Sequence, residues 1–121
     1  MLLSIGGDGC FWAPEVVFHN GSFIMHYSAR WGKPDTLRMG VAVSSHPEGP
    51  WIKHDCANPV LSCHEDLFGA GHNAFFYDKE GVLRTAFHVQ TDPAHPSGDR
   101  RVCIGTVVFK EADGVVYQEI I

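Results

Sequence analysis

Glu15 stands directly after a proline in Cys10-Phe11-Trp12-Ala13-Pro14-Glu15-Val16-Val17-Phe18-His19-Asn20-Gly21, at the head of an apolar run. Its neighbours exclude water, and burial disfavours a charged carboxylate, which suits a group that must hold a proton and hand it over as a general acid. A solvated carboxylate at a strand end is the ordinary alternative. His72 follows Gly69-Ala70-Gly71, and Arg100-Arg101 is the one adjacent basic pair. His54-Asp55-Cys56 and Cys63-His64 place borderline metal ligands close together, but their spacing is not that of a paired-cysteine zinc site, so a loop with incidental His and Cys is expected there. No glycine-rich phosphate loop and no nucleophile elbow is present.

Short strands are the elements that must position these groups. The chain repeats itself: Asn20-Gly21 and the run Ser22–Tyr27 correspond to Glu80-Gly81 and Val82–Phe87 at an offset of 60, and Met39-Gly40-Val41-Ala42-Val43 corresponds to Ile104-Gly105-Thr106-Val107-Val108 at an offset of 65. The five extra residues fall in the turn-rich stretch from Thr91 to Asp99, where an insertion is tolerated. Each unit reads as four strands, about Glu15–Phe18, Ser22–Ser28, Leu37–Ser44 and Trp51–Lys53, then about Ala74–Tyr77, Val82–Val89, Val102–Phe109 and Val115–Glu119. His19-Asn20-Gly21 and Asp78-Lys79-Glu80-Gly81 supply the positive φ of hairpin turns. Prolines interrupt every window long enough for a helix.

This predicts an all-β protein of two four-stranded antiparallel β-propeller blades, at about 12–55 and 70–121, within a single domain spanning 1–121. A blade needs neighbours to cover its faces, so two blades imply either a piece of a larger propeller or self-association through exposed blade faces. With 45% hydrophobic and 19% charged residues the chain is expected to fold. Its net charge of −5 and scattered basic residues argue against a nucleic-acid surface. No apolar run reaches the length of a membrane helix, and Met1-Leu2-Leu3-Ser4-Ile5 lacks the basic and apolar regions of a signal peptide. Cys10, Cys56, Cys63 and Cys103 are too sparse for a disulfide scaffold.

Trp12-Ala13-Pro14-Glu15-Val16, Gly21 with the Phe23–Ser28 strand, Gly40-Val41-Ala42-Val43-Ser44, Pro47-Glu48-Gly49-Pro50-Trp51 and Gly69-Ala70-Gly71-His72-Asn73-Ala74-Phe75-Phe76 together resemble the last two blades of glycoside hydrolase family 43. The resemblance runs from about Trp12 to Tyr117. It implies part of a five-bladed propeller acting on arabinose- or xylose-containing plant polysaccharides or oligosaccharides by an inverting mechanism. In that family an aspartate base, an aspartate that tunes the acid and a glutamate acid share the work, and Glu15 resembles the acid at the head of the fourth blade. Both aspartates belong to blades that the resemblance does not cover, and Asp8 carries no family motif, so a chain lacking its catalytic base is expected. Its non-catalytic counterpart would be a carbohydrate-binding or interaction module of the same blades. A second alignment sets Trp12-Ala13-Pro14 against the motif opening the second blade, which would remove Glu15 from the acid role.

The same resemblance implies further roles. Trp12 would stack on a sugar ring or pack in the propeller core, and Trp51 would pack. Arg101, with Arg100 beside it, would reach substrate. His72 would point to the propeller axis, where some members hold a metal ion, often calcium, through waters, or would be a hydrogen-bonded histidine closing the start of a strand. The chemistry itself needs no cofactor. Members are often secreted or periplasmic.

Overall fold

The computed structural model describes residues 11–31, 36–54, 60, 67–92, 94, 98–112 and 114–121. Among them the chain forms β1 (Phe11–His19), β2 (Ser22–Trp31), β3 (Thr36–Ser44), β4 (Ile52–Lys53), β5 (Phe68–Tyr77), β6 (Leu83–Gln90), β7 (Arg100–Ala112) and β8 (Val115–Ile120). These make two four-stranded antiparallel sheets, each in sequence order, β1-β2-β3-β4 and β5-β6-β7-β8. No helix among the described residues is long and apolar enough to cross a membrane.

Most strands are longer than the sequence pattern shows, and β1 and β5 start well ahead of it, because each carries a bulge that breaks the period-two alternation. In β1 the ladder runs Phe11↔Ala29 and Trp12↔Ser28, then shifts before Glu15↔His26. In β5 it shifts between Gly71↔His88 and Ala74↔Ala86. Ala13 (φ 52°) and His72 (φ 51°) take the left-handed conformation inside these bulges, an uncommon geometry for residues with a Cβ. The repeat thus extends to a strained backbone feature that no pattern of residue types revealed.

The first hairpin closes through Asn20 (φ 48°) and Gly21 (φ 80°), the pairing that a two-residue turn between twisted strands requires. The second is built on Asp78, whose carboxylate accepts hydrogen bonds from the amides of Glu80 (3.0 Å) and Val82 (2.9 Å) and from Arg84 Nε (2.8 Å). The offset of 65 for the third strands needs correction. With Met25 opposite Ala42 and Thr85 opposite Gly105, Ala42 is the structural counterpart of Gly105, an offset of 63. The glycines align in sequence but sit two places apart in the ladder. A shift of two preserves the face each side chain takes, so the blade pattern survives it.

The sheets pack face to face. Ile24, Met39 and Val41 from the first sheet meet Ala70, Phe87, Val89 and Ile120 from the second, with Val60 completing the cluster. Each of the larger side chains contributes roughly 1.5–3 kcal/mol on burial, against the cost of the polar groups enclosed beside them. His26, Ser28, Asn73, Thr85 and Gln118 are those groups. The far face of the first sheet has its own cluster of Met25, Tyr27, Ala29, Ala42 and Trp51, with Phe11 and Phe23 against it. Trp51 therefore packs, as expected.

Candidate functional site

Strand direction gathers the candidate residues. β1, β3, β5 and β7 begin at the same end of their sheets, where β2 and β6 finish, and Trp12, His72 and Arg101 all stand there. Glu15 lies just inside that end. Trp12 and Glu15 are opposite Ser28 and His26, so both occupy the face of β1 turned towards the second sheet. Three residues apart in an unbroken strand, they would point to opposite faces. The bulge at Ala13-Pro14 brings them to the same one.

Glu15 is half-buried and Trp12 is 38% exposed, so both are accessible to a ligand. The His72 amide donates to Ser28 Oγ at 2.7 Å. Because Ser28 is also the ladder partner of Trp12, this bond ties the heads of β1 and β5 together. His72 is thus held by its backbone at the start of β5, while its ring is exposed. Arg101, opposite Val89, is exposed at the head of β7, two strand spacings or roughly 10 Å from β5. It belongs to this end of the molecule but not to the immediate surroundings of Glu15.

Below Glu15 the interface is polar. His26 is fully buried with its ring 5.1 Å from that of Phe75, and neither ring nitrogen has a well-formed hydrogen bond among the described residues. Burial pushes its pKa from 6.5 down to about 4, against a weaker upward pull from the Gln118 backbone. His26 is therefore a neutral imidazole at neutral pH. The side-chain amides of Asn73 and Gln118 are likewise buried without partners among the described residues. Sequence reading missed His26, although its position was legible: it alternates with Met25 and Tyr27 and shares the facing side with Ile24.

No group of three His, Cys, Asp or Glu side chains gathers among the described residues to hold a metal ion. Calcium seeks several oxygen ligands, and the His72 imidazole is not one, so these residues do not by themselves fit a protein-held calcium. His54 is half-buried, whereas Asp8, Asp55, Cys56, Cys63 and His64 lie outside the described residues. Cys103 carries a free thiol.

Two sequential four-stranded antiparallel sheets packed face to face define the class: an all-β protein built of β-propeller blades. The family model for glycosyl hydrolases family 43 matches residues 2–60. A thermostable family-43 glycoside hydrolase of known structure is 35% identical over 93% of this chain and 36% of its own, with a TM-score of 0.74. An endo-1,4-β-xylanase from Bacteroides thetaiotaomicron is 29% identical over 91% of this chain and 38% of its own, again with a TM-score of 0.74. The chain thus resembles glycoside hydrolase family 43 both in the sequence of residues 2–60 and in its fold. An endo-arabinase from the same organism, 24% identical over 84% of this chain and 32% of its own, shares the fold with a TM-score of 0.66. The chain spans between about a third and two fifths of these structures. No functionally curated protein matches the sequence.

Proposed function

We propose that this chain is the two-blade C-terminal part of an inverting family-43 glycoside hydrolase directed at arabinose- or xylose-containing saccharides, with Glu15 as the general acid. The observation that carries this reading is the bulge in β1, which sets Trp12 and Glu15 on one face, at the end of the sheets where His72 and Arg101 also stand. Trp12 would form the platform for a sugar ring, Glu15 would protonate the departing glycosidic oxygen, and Arg101 would donate hydrogen bonds to sugar hydroxyls. His72 would face the propeller axis and act there through water.

Inversion needs a second carboxylate roughly 6.5–9.5 Å from the first, with water between it and the sugar. Among the described residues, the strand segments at this end carry no carboxylate besides Glu15. Asp92, in the β6–β7 connection, accepts the Ala94 amide at 2.9 Å and so shapes its own loop. The base would then come from outside these strand segments. This favours a second reading in which the two blades bind arabinan- or xylan-type chains without cleaving them.

Hydrolysis of aryl arabinofuranosides and xylosides by the native chain and by Glu15→Gln, alongside binding of xylo- and arabino-oligosaccharides, separates the two. Loss of hydrolysis with binding retained supports the acid role. Unchanged hydrolysis in Glu15→Gln removes it, and binding without any hydrolysis selects the binding module.

A further inference from the structure

The buried polar side chains divide into two groups. Ser28 Oγ accepts the His72 amide at 2.7 Å, Ser44 Oγ accepts the His46 amide at 3.1 Å, and Thr85 Oγ1 donates to the Ala74 carbonyl at 3.3 Å. His26, Asn73 and Gln118 are as deeply buried, at 0%, 1% and 1% exposure. Yet both ring nitrogens of His26 and both side-chain amide atoms of Asn73 and of Gln118 lack a hydrogen-bond partner among the described residues. A buried donor or acceptor left in that state has given up its bonds to bulk water and gained none in return, so native interiors rarely leave one alone.

The strands bring these three side chains together. Ser28 and His26 share the face of β2 turned towards the second sheet. Across from them on β5, the His72 amide meets Ser28, and the Phe75 ring lies 5.1 Å from that of His26. Asn73 stands between those two points of contact. It is buried where His72 and Ala74 on either side are exposed, so its side chain is enclosed between the sheets. Gln118 comes to the same place from β8, where its backbone acts on the His26 ring. The unpartnered groups therefore line one stretch of the interface rather than being scattered through the core.

We propose that His26, Asn73 and Gln118 together hold ordered water between the two sheets. Water both donates and accepts, as does each of these three side chains while His26 is neutral. An interior water makes about three hydrogen bonds to groups otherwise unsatisfied, which three side chains from three strands can supply. A metal ion fits less well, because a neutral imidazole and two amides bring no charge to offset the cost of taking an ion out of water. The bridge joins β2, an inner strand of the first sheet, to β5 and β8, the two edge strands of the second. Because Glu15 is the ladder partner of His26, this hydrated joint lies beneath the carboxylate assigned above as the acid. It does not depend on that assignment.

The test combines two measurements. Nuclear Overhauser effects from water to the side-chain amides of Asn73 and Gln118 are recorded in the native chain, and water-oxygen relaxation dispersion counts long-lived interior waters in the native chain and in His26→Phe. The expected result is a bound-water effect at both amides and the loss of about one long-lived water in His26→Phe. Circular dichroism establishes that the variant folds, and the native-chain measurement decides the question on its own where it does not. A missing water effect at either amide in the native chain overturns the site. An unchanged count of interior waters in folded His26→Phe also overturns it, since the imidazole then holds none of them.

Discussion

Glu15 and His26 are ladder partners with opposite demands on their surroundings: the first stays half open to ligand, and the second is sealed from water. Glu15→Gln keeps shape and hydrogen-bonding capacity but removes the proton. If hydrolysis occurs, we expect turnover to fall by about 100-fold or more, the scale of a lost general acid, with saccharide affinity unchanged. For His26, whose pKa drops from 6.5 unfolded to about 4 folded, the unfolded chain binds the proton more tightly. Stability is therefore full above about pH 6.5 and declines as the pH falls towards 4, by up to about 3 kcal/mol. Urea midpoints measured between pH 7.5 and 4.5 follow this decline in the native chain and flatten in His26→Leu. Glu15 and Trp12 could be singled out in the sequence because a carboxylate and an indole stand in a largely apolar strand. His26 was passed over because its significance rests on Phe75 and Gln118 of the second sheet, which no local pattern brings beside it.

At the level of the element, bulges and close approaches decide what a strand presents. A Cβ added to Gly105 would collide with Ile120 Cγ2 and approach Phe87 Cε1 at 3.7 Å. We expect Gly105→Ala to destabilise the chain by about 1–3 kcal/mol through overpacking, measured by chemical denaturation, whereas Gly114→Ala, with open space around it, loses only what its φ of 76° demands. The four-strand repeat and the hairpin at Asn20-Gly21 were visible in residue types, since alternation and turn chemistry are local. The register of β7 against β6 was not. It depends on how the Thr91–Asp99 connection delivers the chain, and only the ladder reveals that Gly105 takes the place of Ala42.

For the whole molecule, the repeat sets an asymmetry between the two sheets. The side of the first sheet that carries Ile24 and Val41 is covered by the second sheet, but the corresponding side of the second sheet exposes Phe68 (42%), Phe76 (38%), Val102 (76%) and Ile104 (65%). Each of these stands on one face, opposite Gln90, Arg84, His88 and Ala86. A face with this much exposed apolar surface associates when left bare. We expect the isolated chain to show a concentration-dependent mass in sedimentation, and Ile104→Lys to shift it towards the monomer. The two-blade architecture and its need for neighbours followed from the period and length of the repeat. Which side stays bare did not, because it depends on the handedness of blade stacking rather than on any local pattern.

The proposed function requires these blades to engage pentose-containing saccharides at the heads of β1 and β5. Titration of the native chain and of Trp12→Ala with xylo- and arabino-oligosaccharides, followed by tryptophan fluorescence and calorimetry, tests it most directly. Saturable binding is expected in the native chain, weakened at least tenfold in Trp12→Ala. Saturable binding that Trp12→Ala leaves unchanged, or no binding by the folded native chain, would contradict it.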